Sequence, residues 1–252
     1  MTAEVLPDQP LVKAERMHAR SESIHLRTHN LTLSRGGRVL FKDLNLTLPR
    51  GKVVSLIGPS GTGKTSLLLA LAGLLQPDAG KVSYHCRHEH THTPQEFQRE
   101  IGFVFQELRL VPNASLLTNV LCGQLGRHKW WNTLFGFNHS HRLSAFELLR
   151  QLGLEDFTHR HAGETSGGQQ QRAAIARALM QQPEVILADE PVSNLDAENA
   201  ALVLKIFRRF AAEKGITIIC AMHDIALVEK YSDLLLKLSD DDPSAWSLEQ
   251  IR

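Results

Sequence analysis

Apolar and polar residues alternate in the first part of the chain, through "LTLS" and then "LNLTL" from Leu44 to Leu48, as they do in half-buried strands. The pattern then changes. "KVVSLIG", Lys52 to Gly58, is a continuous apolar run closed by glycine, which predicts a strand buried on both faces in a parallel sheet. A helix is predicted directly after it, from about Gly63 to Leu75. "KVSY" and "IGFVFQ" (Ile101 to Gln106) read as further strands. Residues 112 to 181 are mostly helical in pattern, and Pro183 stops the last helix. "VILADE" (Val185 to Glu190) and "ITIICAMH" (Ile216 to His223) are two more buried strands, separated by a helix from about Ala197 to Lys214. Strands alternate with helices, with one helical block inserted midway, which predicts a doubly wound α/β core carrying a helical arm.

The remaining features add little to that picture. The chain has 252 residues and a formal net charge of +1, so charge gives no reason to expect nucleic acid as a partner. Its longest apolar run, Leu67 to Leu75, is shorter than the roughly 20 residues of a membrane span. "MTAEVLPDQP" lacks a hydrophobic signal segment, and residues 1–24 are expected to form a poorly ordered tail. Cys86, Cys122 and Cys220 are scattered, as suits free thiols in a reducing compartment.

"GPSGTGKT", Gly58 to Thr65, has the glycine and lysine spacing of a phosphate-binding loop between a strand and a helix. Gly58, Pro59, Ser60, Gly61, Thr62 and Gly63 would wrap the backbone closely around phosphates, and the helix N-terminus beginning with Lys64, Thr65 and Ser66 would add partial positive charge. Lys64 would reach the β and γ phosphates, and Thr65 would offer a hydroxyl to Mg²⁺. "VILADE" carries Asp189 and Glu190 to a strand end, where Asp189 would hold the same ion and Glu190 would polarise an attacking water.

"TSGGQQQR", Thr165 to Arg172, resembles the signature of ABC-transporter ATPases. So do, in chain order, "GPSGTGKT", "FQ" at Phe105 and Gln106, "SGGQ", "ILADEP", "SNLD" at Ser193 to Asp196, and "MHD" at Met222 to Asp224. The resemblance covers roughly residues 25 to 238. It implies an ABC-type P-loop ATPase with a RecA-like parallel-sheet core, an antiparallel β-subdomain and an inserted helical subdomain. The ATPase domain would span residues 25–240, with the helical subdomain at about 107–175 and residues 241–252 as a short C-terminal tail.

The same resemblance implies the site. ATP and Mg²⁺ would be the cofactors, with Thr65, Gln106 and Asp189 on the metal. Glu190, His223, Gln106 and Lys64 would carry the hydrolysis. Two subunits would pair head to tail, so that Ser166, Gly167, Gly168 and Gln169 cap the nucleotide held by the other subunit, with Asp196 bridging the two. Exposed amides at the start of a helix make Ser166 and Gly167 an anion site in their own right. Taken alone, His223 reads more readily as a satisfied histidine at a strand end, and its position after "ITIICAM" is what raises it. Thr165 departs from the leucine usual in the signature. Arg35, in "LSRGGRVLF", stands about where the family places an aromatic residue against the base. Its guanidinium would stack there, or it is a solvated turn residue.

Among these ATPases the chain is most similar to the ATP-binding subunits of phosphonate importers, through "NVLCGQLGRHKWWNTLFGF" (Asn119 to Phe137), "DFTHRHAGETSGGQ" and the extended signature. That implies a peripheral subunit on the cytoplasmic face of a bacterial inner membrane. It would be bound to a permease and served indirectly by a solute-binding protein. Another solute, or a non-transport ABC ATPase, is the alternative. Trp130, Trp131 and Phe135 either meet the permease or fill the core of the arm. In "YHCRHEHTH", an extended backbone would put Cys86, His88, His90 and His92 on one face. The run reads as a solvated hairpin or, less simply, as a metal site.

Overall fold

The computed structural model describes residues 24–85, 91–127 and 137–252. Its strands are β1 (Ile24–Arg35), β2 (Arg38–Leu44), β3 (Thr47–Pro49), β4 (Val53–Ile57), β5 (Ala79–His85), β6 (Thr91–His92), β7 (Ile101–Val104), β8 (Val185–Asp189), β9 (Thr217–Ala221), β10 (Leu234–Leu238) and β11 (Trp246–Gln250). Its main helices are α1 (Lys64–Leu71), α2 (Leu116–Leu121), α3 (His139–Gln151), α4 (Gly167–Met180), α5 (Ala197–Lys214) and α6 (Ile225–Tyr231).

Among the described residues the larger sheet runs β11-β10-β4-β9-β8-β7, parallel throughout except for β11. The apolar runs have no polar face because both faces are covered. Val53, Ile186, Ile218 and Cys220 point into a core shared with α4 and α5. Their neighbours Val54, Val185, Leu187 and Ile219 point into a second core with α1 and the antiparallel sheet. Side chains that alternate between two buried faces leave no solvent-facing side to the strand, and the polar residue inside β4, Ser55, is buried and hydrogen-bonded to Ser232 at 2.6 Å. Truncating a leucine such as Leu67 or Leu68, both fully buried on α1, would cost about 2–5 kcal/mol.

The smaller sheet is antiparallel, β2-β1-β5-β6, with β3 also paired to β1. Between β7 and β8 lies the helical block. Asn138 caps α3, and Ser166 caps α4 in a capping box with Gln169. Gly123 lies hard against α4, where an added Cβ would fall 2.2 Å from the Arg177 carbonyl oxygen.

Two expectations change. The helix predicted to reach Leu75 stops at Leu71. Gly73 takes a left-handed φ of 68°, and the amides of Leu74 and Leu75 turn back to the Leu69 carbonyl, which ends the helix. Residues 241–252, expected as a short tail, include β11 instead. Trp246 and Leu248 pack on the second core, and the whole strand pairs with β10. The weak alternation of "AWSLEQ" hid an edge strand. The tail expected at the N-terminus falls almost wholly outside the described residues, as do Trp130, Trp131, Phe135, Cys86, His88 and His90.

Candidate nucleotide site

The phosphate loop follows β4 and ends at Gly63, the N-cap of α1, with a φ of 95°. Only glycine adopts that backbone easily, and a Cβ there would meet Leu40 at 2.9 Å. Lys64 is buried, and its Nζ donates to the carbonyls of Gly58 at 2.8 Å and Pro59 at 3.0 Å. Burial pulls its pKa down, against the upward pull of Glu190 and Asp189. Thr62 donates its hydroxyl to Pro59. Ser60, Gly61, Gly63, Lys64, Thr65 and Ser66 form one wall of a cleft of about 430 Å³. Arg35, Arg38 and Leu40 form the opposite wall, with Glu190 at the end.

The acids arrive from β8. The Thr65 hydroxyl donates to Asp189 Oδ1 at 3.1 Å. Burial raises the Asp189 pKa, and the Thr65 bond and Lys64 act against that rise. Glu190 follows with a left-handed φ of 47°, rare for a residue with a side chain. Its carbonyl closes a turn by accepting from the Ser193 amide and hydroxyl. Its carboxylate is held on both oxygens: Gln106 Nε2 donates to Oε2 at 3.1 Å, and His223 Nε2 lies 2.6 Å from Oε1. Topology explains this meeting. Gln106, Glu190 and His223 each come just after β7, β8 and β9, which are adjacent parallel strands. Ligands gather at the carboxyl ends of such strands.

The signature residues lie elsewhere. Ser166, Gly167, Gly168 and Gln169 form the N-terminus of α4, and none of them lines the cleft with Lys64. Gly168 abuts the Asn199 side chain, which binds Asp196 through its amide nitrogen at 2.8 Å. Asp196 itself caps α5, accepting from the Asn199 backbone. The chain therefore presents two separate helix N-termini, one at the start of α1 beside the cleft and one at the start of α4 away from it. A second cleft of about 490 Å³ runs past Glu190, Ser193, Leu195, Met222, His223 and Leu227.

Sequence reasoning missed Arg38 and Leu40, and it read Ser193 only as the first residue of "SNLD". Arg38 lines the nucleotide cleft while its guanidinium holds Asp240 at 2.6 Å. Its position three residues after Arg35 in a tight hairpin was the available signal. The backbone of Arg35 pairs with Arg38 in the β1–β2 ladder, and its side chain lines the cleft with no ion pair to an acid among the described residues. The oxygen donors of Thr65, Asp189 and Gln106 make a hard ligand set, the kind that Mg²⁺ takes. Among the described residues there is no cluster of histidines, cysteines or acids suited to a transition metal, and His92 lies in β6.

The model of the ABC transporter family matches residues 41–193. The phosphonates import ATP-binding protein PhnC 2 of Nostoc sp. is 38% identical over 207 residues, 81% of this chain and 85% of that protein. The phosphonates import ATP-binding protein PhnC of Nitratidesulfovibrio vulgaris is 39% identical over 220 residues, 83% of each. The hypophosphite import ATP-binding protein HtxD of Stutzerimonas stutzeri is 35% identical over 223 residues, 87% of this chain and 65% of that protein. Among solved structures, a nucleotide-free ATP-binding cassette from an ABC transporter matches with a TM-score of 0.78 and 26% identity, over 90% of this chain and 91% of that one. A dimeric, post-hydrolysis cassette bound to ADP and Pi matches with a TM-score of 0.76 and 29% identity, over 90% and 99%.

Proposed function

The chain belongs to the ABC transporter family as an ATP-binding subunit, and we propose that it powers an importer for phosphonate or a closely related phosphorus compound. The cargo rests on the similar phosphonate-import proteins. The hypophosphite-import relative keeps the smaller oxyanions within the same proposal. The observation that carries the chemistry is the Glu190 carboxylate, held between Gln106 and His223 beside the phosphate loop.

ATP would enter the cleft with its phosphates against the amides at the start of α1. Lys64 would exchange the carbonyls of Gly58 and Pro59 for the β and γ phosphate oxygens. Thr65, Asp189 and the Gln106 side-chain oxygen would hold Mg²⁺, which would supply positive charge against those oxygens. Glu190 would accept a proton from the attacking water as its oxygen approaches the γ-phosphorus in line. In the structure each of its carboxylate oxygens accepts one hydrogen bond, which leaves a lone pair on each for the attacking water. His223 and Gln106 would keep the carboxylate oriented.

The second helix N-terminus, Ser166 to Gln169, would face the nucleotide of another copy of the chain, giving a head-to-tail dimer with Asp196 near the seam. The dimeric, ADP-bound cassette supports pairing of this kind. No helix among the described residues is long and apolar enough to cross a membrane, which suits a peripheral subunit on the cytoplasmic face. A groove of about 340 Å³ lies just beyond Gln106, between Leu108, Leu110, Pro112 and Gly163, and would receive the permease. The solute-binding protein would act on the far side of that permease.

Growth tests the cargo. A deletion strain is supplied with phosphate, 2-aminoethylphosphonate, methylphosphonate, phosphite or hypophosphite as its sole phosphorus source. Loss of growth on a reduced phosphorus compound alone is expected, with rescue by the wild-type gene and not by a Glu190→Gln copy. Unchanged growth on all five, in a strain without a second such importer, would remove the phosphorus cargo and leave the ATPase.

A further inference from the structure

The loop after Gln106 is fastened by a residue that none of the nucleotide chemistry uses. Arg177, in the last turn of α4, donates Nη2 to the Leu108 carbonyl at 2.7 Å and Nη1 to the Arg109 carbonyl at 2.6 Å. A planar guanidinium can take two consecutive carbonyls at once, which a lysine ammonium on a flexible stem does not do in one fixed geometry. The two carbonyls are presented together because Arg109 has a left-handed φ of 50°. In extended backbone, successive carbonyls point to opposite sides.

The loop is tied at two further places. The Arg109 guanidinium lies 4.0 Å over the Phe105 ring, and Phe105 stacks at 4.2 Å on Phe103 of β7. On the far side, Asn119 of α2 accepts from the Val111 amide at 2.7 Å and donates to the Val111 carbonyl at 3.1 Å. Gln106 lies inside this fastened stretch, and its free end is the side chain that reaches Glu190. Two helical turns before Arg177, Gln170 lies on the same face of α4, where it binds the Ala162 and Thr165 carbonyls and lines the groove beyond Gln106. One helix thus carries the signature at its N-terminus, a wall of the groove in its first turns, and the clamp on the Gln106 loop in its last turn.

We infer that Arg177 is a positioning residue: by clamping the Leu108 and Arg109 carbonyls to α4, it makes the place of Gln106 at Glu190 depend on the place of the signature helix. A shift of α4, or of whatever occupies the groove, then moves Gln106 with it. The inference rests on the reading of Gln106 as part of the hydrolytic site.

The test is a double-mutant cycle on the purified full chain, read as kcat for Mg-ATP hydrolysis beside ADP affinity. Arg177→Met is made in the wild-type and Gln106→Ala backgrounds, with Arg177→Lys as a milder partner that serves if the methionine variant does not fold. Arg177→Met is expected to lower kcat about tenfold in the wild-type background and less than about twofold in the Gln106→Ala background, with ADP affinity within about twofold throughout. Arg177→Lys is expected to recover only part of the loss. An equal loss in both backgrounds overturns the inference while leaving the role of Gln106 intact. A Gln106→Ala protein with unchanged kcat overturns the reading of Gln106 and the inference with it. A loss of ADP affinity that parallels the loss of kcat marks Arg177 as merely structural.

Discussion

His223 Nε2 lies 2.6 Å from Glu190 Oε1, although the two residues are 33 apart in the chain and sit at the ends of different strands. The contact fixes a carboxylate whose own backbone is held at a left-handed φ. The strain and the hydrogen bonds act together: the turn through Ser193 sets where the carboxylate starts, and His223 and Gln106 set where it points. His223→Ala is expected to lower kcat about 10- to 100-fold, with ATP affinity changed by less than about threefold, because His223 does not line the phosphate cleft. Steady-state kinetics beside a nucleotide titration would check it. An equal fall in affinity would move His223 from orienting Glu190 to holding nucleotide.

Arg35 and Arg38 line the same cleft as the phosphate loop, and among the described residues only Arg38 of the two is tied to an acid. Arg35 is therefore available as a platform for the base. Stacking at an exposed site is worth about 0.5–1 kcal/mol, so Arg35→Ala should raise the KM for ATP about two- to fivefold with kcat unchanged. An unchanged KM would make Arg35 a solvated turn residue.

Acid should weaken the protein through one cluster of side chains, the buried His25 with the partly buried Glu184 and Arg50. The His25 ring, 3.4 Å away, and Arg50, at 2.6 Å, hold the Glu184 pKa down at about 2. Arg50 is the closer of the two partners. His25 is itself fully buried, and that burial lowers its pKa, so it stays neutral and shares Nδ1 with the Thr217 hydroxyl at 2.7 Å. Both folded-state values lie below the unfolded ones, so both groups take up protons on unfolding. Their stabilisation is present at neutral pH. The His25 part is lost as pH falls below about 6.5, and the Glu184 part between about 4.5 and 2. Urea midpoints measured from pH 7 to pH 3 should fall less steeply below pH 4.5 in Glu184→Gln than in the wild type. Parallel curves would contradict this account.

The close approach of Gly123 to α4 gives a stability prediction. A methyl group there must displace the Arg177 carbonyl, which is backbone and cannot rotate away. Gly123→Ala should cost about 1–3 kcal/mol by overpacking. Calorimetry would show it as a Tm lowered by several degrees, and an unchanged Tm would mean that the helical block yields there without cost.

The parallel core was legible because Val53 to Ile57, Val185 to Asp189 and Thr217 to Ala221 are short, nearly continuous apolar runs buried on both faces. The helix from Ala197 to Lys214 was legible, and the structure closes it with Asp196 as its cap and Gly215 as its stop. What escaped depends on contacts distant in sequence. β11 has a mixed pattern that becomes a strand only beside β10. Arg38 and Leu40 enter the nucleotide cleft because the β1–β2 hairpin folds over the phosphate loop. Arg177 reads as an ordinary helix residue until two carbonyls from another segment are placed beneath it. The motif residues themselves were all readable, but the sequence could not show that Glu190 is gripped on both oxygens.

The most direct measurement is steady-state Mg-ATP hydrolysis by the wild-type protein and by Glu190→Gln at matched ATP occupancy. This account predicts turnover in the wild type, and a loss of at least about 100-fold in Glu190→Gln with ATP affinity within about threefold. Equal turnover in the two proteins, or a loss of ATP binding that explains the loss of turnover, would contradict it.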